Sequence, residues 1–192
     1  VETGMANLGE LLGGASVVPV NFHLTADEAA YILADSKAAV LFVGPETLER
    51  GIAAAEQAGV TTIVAWGGAE WGEHESPVVD GVISWQQFVG EGDAACPDLN
   101  RKPLPNLLYT SGTTGRPKGT ELPPTMFAGG ETIREHMLAL RESPMAPLGP
   151  HLIVGPMYHT GPLSGARILV AGTPSVVLGK FDAEATLAAI DT

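Results

Sequence analysis

This chain has few of the features that would suit it to an oxidising, membrane-bound or nucleic-acid setting. Cys96 is its only cysteine, so no intrachain disulfide forms and a reducing compartment is the natural reading. No histidine lies close to Cys96 in sequence to serve as its base, which argues against a reactive thiol. Basic residues are scarce: 10 Lys plus Arg stand against 22 Asp plus Glu, a formal charge of −12. Such a field repels polyanions and opposes non-specific binding to nucleic acid or anionic lipid. Any phosphate site must therefore carry its positive charge locally. No apolar run approaches the roughly 20 residues that span a bilayer. The first residues lack a cationic stretch followed by an apolar one, so the expectation is a cytoplasmic protein without a signal peptide. Val1 rather than Met begins the chain, and a fragment of a longer protein is expected.

The apolar content of 45% suits a globular core, and 24 Gly with 15 Pro imply many loops without a repeat. Ser16–Val20 (SVVPV) reads as a strand. Thr25 with Glu28 forms a capping box, in which each side chain satisfies a free backbone N–H of the first turn, and Ile32 and Leu33 continue the apolar stripe of that helix. Ala39–Val43 is apolar without alternation, as a strand covered on both faces should be. Pro45 opens a second helix, with Leu48, Ile52 and Ala55 on one face and Gly59 as its stop, and Val60–Trp66 is a third strand. The sum over residues 11–66 is βαβαβ, which implies an α/β fold with parallel-sheet layers flanked by helices and right-handed crossovers.

Further along, Gly67–Pro77 reads as a turn-rich loop, Ser84 with Gln87 as a second capping box, and Glu91–Pro105 as a linker. Leu107–Thr110 is a strand, Glu131–Arg141 a helix, and Leu152–Val154 and Ser175–Leu178 are strands; Asp182 is the N-cap of a last helix. His23, His74, His136 and His151 have no metal-ligand spacing and read as surface or helix residues, and the acidic residues read as solvated faces. No metal ligand is assigned.

The most informative stretch is Tyr109–Gly119, YTSGTTGRPKG. Phosphates need many N–H donors at close range and a mobile cation. Gly112, Gly115 and Gly119 free the backbone to turn with positive φ and to approach a ligand closely. Thr110, Ser111, Thr113 and Thr114 add hydroxyl donors, Lys118 supplies a point charge on a flexible stem, and Arg116 assists from the rim. This is not a Walker loop, because Gly119 rather than Ser or Thr follows the lysine, and GxGxxG is absent.

YTSGTTGRPKG resembles the signature of the adenylate-forming (AMP-binding) superfamily, which includes acyl-CoA synthetases, luciferases and peptide-synthetase adenylation domains. Gly14–Val43 is similar to that family's early βαβ segment, Pro156–Gly161 (PMYHTG) to a motif beside its acyl pocket, and FDAEATLAAI to the segment after it. The fatty acyl-CoA synthetases are the most similar members. The resemblance implies one incomplete N-terminal ATP- and acyl-binding domain over residues 1–192, with residues 106–192 carrying the phosphate loop and acyl-pocket segment. It implies that a carboxylate attacks the α-phosphate of Mg²⁺-bound ATP, and that coenzyme A then takes the acyl group from the acyl-AMP. By motif, Thr110, Ser111, Gly112, Thr113, Thr114, Gly115 and Lys118 would hold the departing phosphates. His159 would lie near the carboxylate, with Tyr158 and Gly161 shaping the pocket mouth.

Three family features are absent from this sequence: a YGxTE-like segment with the main Mg²⁺ ligand, a TGD-like segment for the ribose, and the C-terminal domain with its catalytic lysine. The fragment itself is therefore expected to be inactive. Glu121–Pro124 also departs from the hydrophobic-polar-His run usual after the loop. Alternatives are an acyl-AMP ligase, an adenylation domain that loads a carrier protein, or a non-catalytic nucleotide- or acyl-binding module. Self-association stays open.

Overall fold

The computed structural model describes residues 2–67, 79–92, 96–110, 115–123, 125, 128–143 and 149–191. In chain order the elements are α1 (Glu2–Gly13), α2 (Ala26–Asp35), β1 (Val40–Val43), a 3₁₀ turn (Pro45–Thr47), α3 (Leu48–Ala58), β2 (Thr62–Ala65), β3 (Val82–Ser84) and α4 (Trp85–Gly90). They continue with β4 (Asn106–Thr110), β5 (Lys118–Leu122), α5 (Ile133–Glu142), β6 (His151–Ile153), α6 (Thr160–Ala166), a 3₁₀ segment (Arg167–Ala171), β7 (Ser175–Val177) and α7 (Ala183–Ile190). The chain forms two compact units. One comprises Val20–Cys96 and Ser111–Pro117, the other Val1–Pro19, Pro97–Thr110 and Lys118–Thr192.

The first unit is a three-stranded parallel sheet, β1-β2-β3. Alternate residues of its strands point to opposite faces, and both faces are apolar. Val43, Ile63 and Ala65 pack with Ala30 and Leu33 of α2 and Ala54 and Ala55 of α3. Fully burying a side chain such as Leu33 or Ile63 stabilises the fold by about 1.5–3 kcal/mol. On the other side Phe42 meets Phe88 edge-on at 5.4 Å and Trp85 at 6.2 Å, so α4 supplies an aromatic cover. The capping box is present in full: Thr25 Oγ1 accepts from the Glu28 N–H, and Glu28 accepts from the Thr25 N–H. Gly59 ends α3 in the left-handed conformation (φ 74°). At α4 only half of the expected box forms, since Ser84 accepts from the Gln87 N–H while the Gln87 amide turns to Glu91.

The second unit is built from segments distant in sequence. Here β4 and β5 form an antiparallel hairpin and β6 and β7 a parallel pair. Leu11, Ile133, Ile153, Leu163 and Ala166 are buried in it. Thr132 and Glu135 complete a capping box on α5, and Asp182 caps α7 by accepting from the Ala185 N–H.

The sequence reading needs three corrections. Ser16–Val20 is not a strand: Val17 accepts one backbone bond from the Leu107 N–H, and Pro19 has no N–H to extend a ladder. The parallel sheet therefore begins at β1, after α2, and α1 precedes both. His136 lies on a helix but is buried (1% exposed) rather than at the surface. Glu10 is likewise no solvated acid, because its side chain is buried beside Arg167. The Gly67–Pro77 loop lies almost wholly outside the described residues.

Candidate functional site

The glycine-rich stretch begins and ends in a ladder. Tyr109 pairs with Gly119 and Thr110 with Lys118, so the last residue of β4 stands directly opposite the first residue of β5. Directly paired residues share a face of the hairpin, and the Thr110 hydroxyl and Lys118 ammonium stem are both exposed. Gly119 sits in a tight place: a Cβ there would lie 3.0 Å from Leu107 Cδ1 and 3.2 Å from Tyr109 Cζ, so those side chains would have to give way by a few tenths of an ångström. Gly115 is needed for conformation instead, since its φ is +93° and open space surrounds its missing Cβ. Ser111, Gly112, Thr113 and Thr114 lie outside the described residues.

Beyond the loop, α2 holds the returning chain. The Tyr31 hydroxyl donates to the Pro117 carbonyl at 3.3 Å. The Arg116 guanidinium sits 5.4 Å from the Tyr31 ring centroid, a cation–π distance. Arg116 thus has a specific seat on Tyr31. Sequence reasoning missed that partner, and its one signal was an isolated aromatic in the middle of a small-residue helix.

The second candidate group stands where the chain turns into α6. The His159 N–H donates to Pro156 and its carbonyl accepts from Leu163, both at 3.0 Å, which fixes His159 as the N-cap residue. Its imidazole makes no capping bond and is exposed. The Tyr158 ring packs against it, with centroids 4.3 Å apart and planes tilted by 42°. Gly161 follows in the exposed first turn of α6. The structure therefore pairs Thr110 with Lys118, and Tyr158 with His159.

A buried polar cluster was missed entirely. Arg167 is 2% exposed and its Nη2 donates to Asn106 Oδ1 at 2.8 Å. The same Nη2 lies 3.6 Å from Glu10 Oε2. Burial pushes the Glu10 carboxyl up to about 7, against the opposing charge of Arg167. His136 Nδ1–H donates to the Gly129 carbonyl at 2.9 Å, and burial holds this imidazole below its ordinary range. Nothing in the residue types announced the cluster, since its members lie far apart in sequence. Among the described residues no group of three or more His, Cys, Asp or Glu is arranged to hold a metal ion.

The hairpin therefore offers a hydroxyl and a cation side by side at a turn, as an anion requires, and the His159 corner offers an exposed imidazole. Comparison with known proteins agrees with this architecture. The chain belongs to the AMP-binding enzyme family, whose model matches residues 1–191. It is 33% identical over 185 residues to the indoleacetate–CoA ligase of Aromatoleum aromaticum, covering 93% of this chain and 33% of that protein. It is 31% identical over 180 residues to a feruloyl-CoA synthase from Amycolatopsis, covering 93% of this chain and 32% of that one. Among solved structures, ATP-bound MatB from Rhodopseudomonas palustris superposes with a TM-score of 0.68 at 23% identity, over 99% of this chain and 35% of that chain. The fold is accordingly that of the N-terminal domain of adenylate-forming enzymes. The chain spans about a third of the length of these relatives.

Proposed function

We propose that the protein to which this chain contributes is an acid–thiol ligase. It activates a carboxylic acid with ATP, giving acyl-AMP and pyrophosphate, and passes the acyl group to coenzyme A. The observation that carries the reading is the YTSGTTGRPKG sequence, with Thr110 and Lys118 paired where β4 ends and β5 begins. Displacement at phosphorus depends on positioning and charge stabilisation, so a cation beside hydroxyl and backbone donors is the required equipment. In this reading Thr110–Gly115 and Lys118 cradle the β- and γ-phosphates as they depart. His159 meets the carboxylate, and Tyr158 and Gly161 border its pocket. Mg²⁺ would neutralise phosphate charge, and its main ligand is expected from residues outside this sequence.

A fatty acid is the finer reading of the substrate, and its support is the resemblance of the loop and PMYHTG motifs. The named relatives act on indoleacetate and ferulate by their names, which supports an aromatic acid as the second reading. The test is acid-dependent exchange of labelled pyrophosphate into ATP, followed by thioester formation with coenzyme A. It compares the 192-residue chain with the longest product of its reading frame, using fatty acids, indoleacetate and ferulate in parallel. We expect background exchange from the chain alone and acid-dependent exchange from the longer product. No exchange with any acid in the longer product would overturn the ligase reading.

A further inference from the structure

We propose that Arg167 is a positioning residue for this reaction, a strut that fixes the phosphate hairpin relative to the segment carrying His159. The inference rests on the ligase reading for its purpose but on geometry for its substance. Arg167 directly continues α6, whose N-cap is His159. Helix α6 has 7 residues, so a stiff element about 10 Å long joins His159 to Arg167. On the other side, Arg167 Nη2 donates to Asn106, the first residue of β4, whose last residue is Thr110. That strand is paired with β5 along its whole length and is equally stiff. A displacement at Asn106 is thus carried to Thr110 and Lys118, and one at Arg167 to His159.

Packing alone accounts poorly for these side chains. A buried ion pair is generally no more stabilising than apolar residues of similar volume, so Glu10–Arg167 adds little that Leu or Met would not. An apolar contact, however, tolerates sliding. The Arg167 Nη2–Asn106 Oδ1 bond, at 2.8 Å, is directional and resists that sliding, although Nε and Nη1 of Arg167 have no hydrogen-bond partner. Asn106 (5% exposed) and Arg167 (2% exposed) are shielded from water, which strengthens that directionality. Glu10, anchored on α1, lies 3.6 Å from Arg167 Nη2 and supplies a countercharge when it is ionised, above about pH 7.

The experiment is two-dimensional amide NMR of the 192-residue chain, titrated with sodium pyrophosphate, for wild type, Asn106→Ala and Asn106→Asp. Asn106→Ala leaves the Glu10–Arg167 pair in place and is the principal variant. We expect it to move the amide signals of Thr160, Gly161 and Leu163 and those of Thr110 and Lys118 together, and to weaken pyrophosphate binding roughly tenfold. Asn106→Asp keeps an acceptor oxygen and should restore both readouts, which a change that merely lowered stability would not do. Unmoved α6 amides in Asn106→Ala, or no rescue by Asn106→Asp, would overturn the proposal. Wild type that fails to bind pyrophosphate would instead refute the phosphate assignment of the hairpin, and the α6 amides would still decide the strut.

Discussion

Glu10 ionises against the resistance of its surroundings, and its replacement by glutamine gives a quantitative test of the buried cluster. Its carboxyl stands at about 7 in the fold, against 4.5 for a free glutamate, because burial outweighs the attraction of Arg167. Between those values the folded chain keeps a proton that the unfolded chain has released, so stability falls as pH rises through this window. Going from pH 5 to pH 8 removes on the order of 2–3 kcal/mol. His136 works in the opposite sense. Its folded value lies below 6.5, so its contribution is present above pH 6.5 and is lost as pH falls. Wild type therefore combines two opposed slopes, and subtracting it from Glu10→Gln isolates the Glu10 slope. The assay is urea unfolding at pH 5 and pH 8, followed at the methyl signals of Leu11 and Ile133, both buried in the same unit. The difference between variant and wild type should shift in the variant's favour by on the order of 2–3 kcal/mol across that range. A difference that does not change with pH would mean that Glu10 ionises as easily in the fold as outside it, and the burial argument would be wrong.

Three further outcomes are expected. On the ligase proposal, Lys118→Ala in the longest product of the reading frame should lower productive ATP use by roughly 10- to 150-fold with an unchanged circular dichroism spectrum, because the exposed lysine supports no core. An unaltered ATP dependence would remove Lys118 from the phosphate assignment. Thr132→Ala, which deletes the acceptor for the Glu135 N–H at 3.2 Å, should lower stability by about 1 kcal/mol in urea titration, and Thr132→Ser should recover most of it. Gly115→Ala forces a side chain into a φ of +93° and should cost about 1–2 kcal/mol, whereas Gly115→Asn should cost less.

Much of the fold is visible in local sequence because its signals are local. The Thr25–Glu28 box, the Gly59 stop and the Asp182 cap each depend on residues within one helical turn, and each forms. Helix α1 was hidden because Gly4, Gly9 and Gly13 depress helix propensity, and its formation depends on burying Leu11 within the unit. Strand β5 (KGTEL) has no apolar alternation and is almost wholly exposed, so only its pairing with β4 defines it. The glycine-loop residues were legible as a set because phosphate chemistry demands a dense local motif. Asn106, Glu10 and Arg167 were not, since an ion pair between distant segments leaves no spacing to read.

The discontinuity of the second unit has a consequence for the order of events during synthesis. The Asn7 side chain bonds the Leu163 carbonyl across 156 residues. At about 5–20 residues per second the ribosome needs roughly 8–30 s to supply that partner. The α2–β1–α3–β2 unit, by contrast, is drawn largely from one continuous stretch and can close while translation continues. The segment that becomes α1 therefore spends this interval with Leu11 uncovered and Glu10 free to ionise in water. Only when Arg167 emerges does the Glu10 carboxyl gain its buried neighbour, and from then on burial opposes the ionisation that water had favoured.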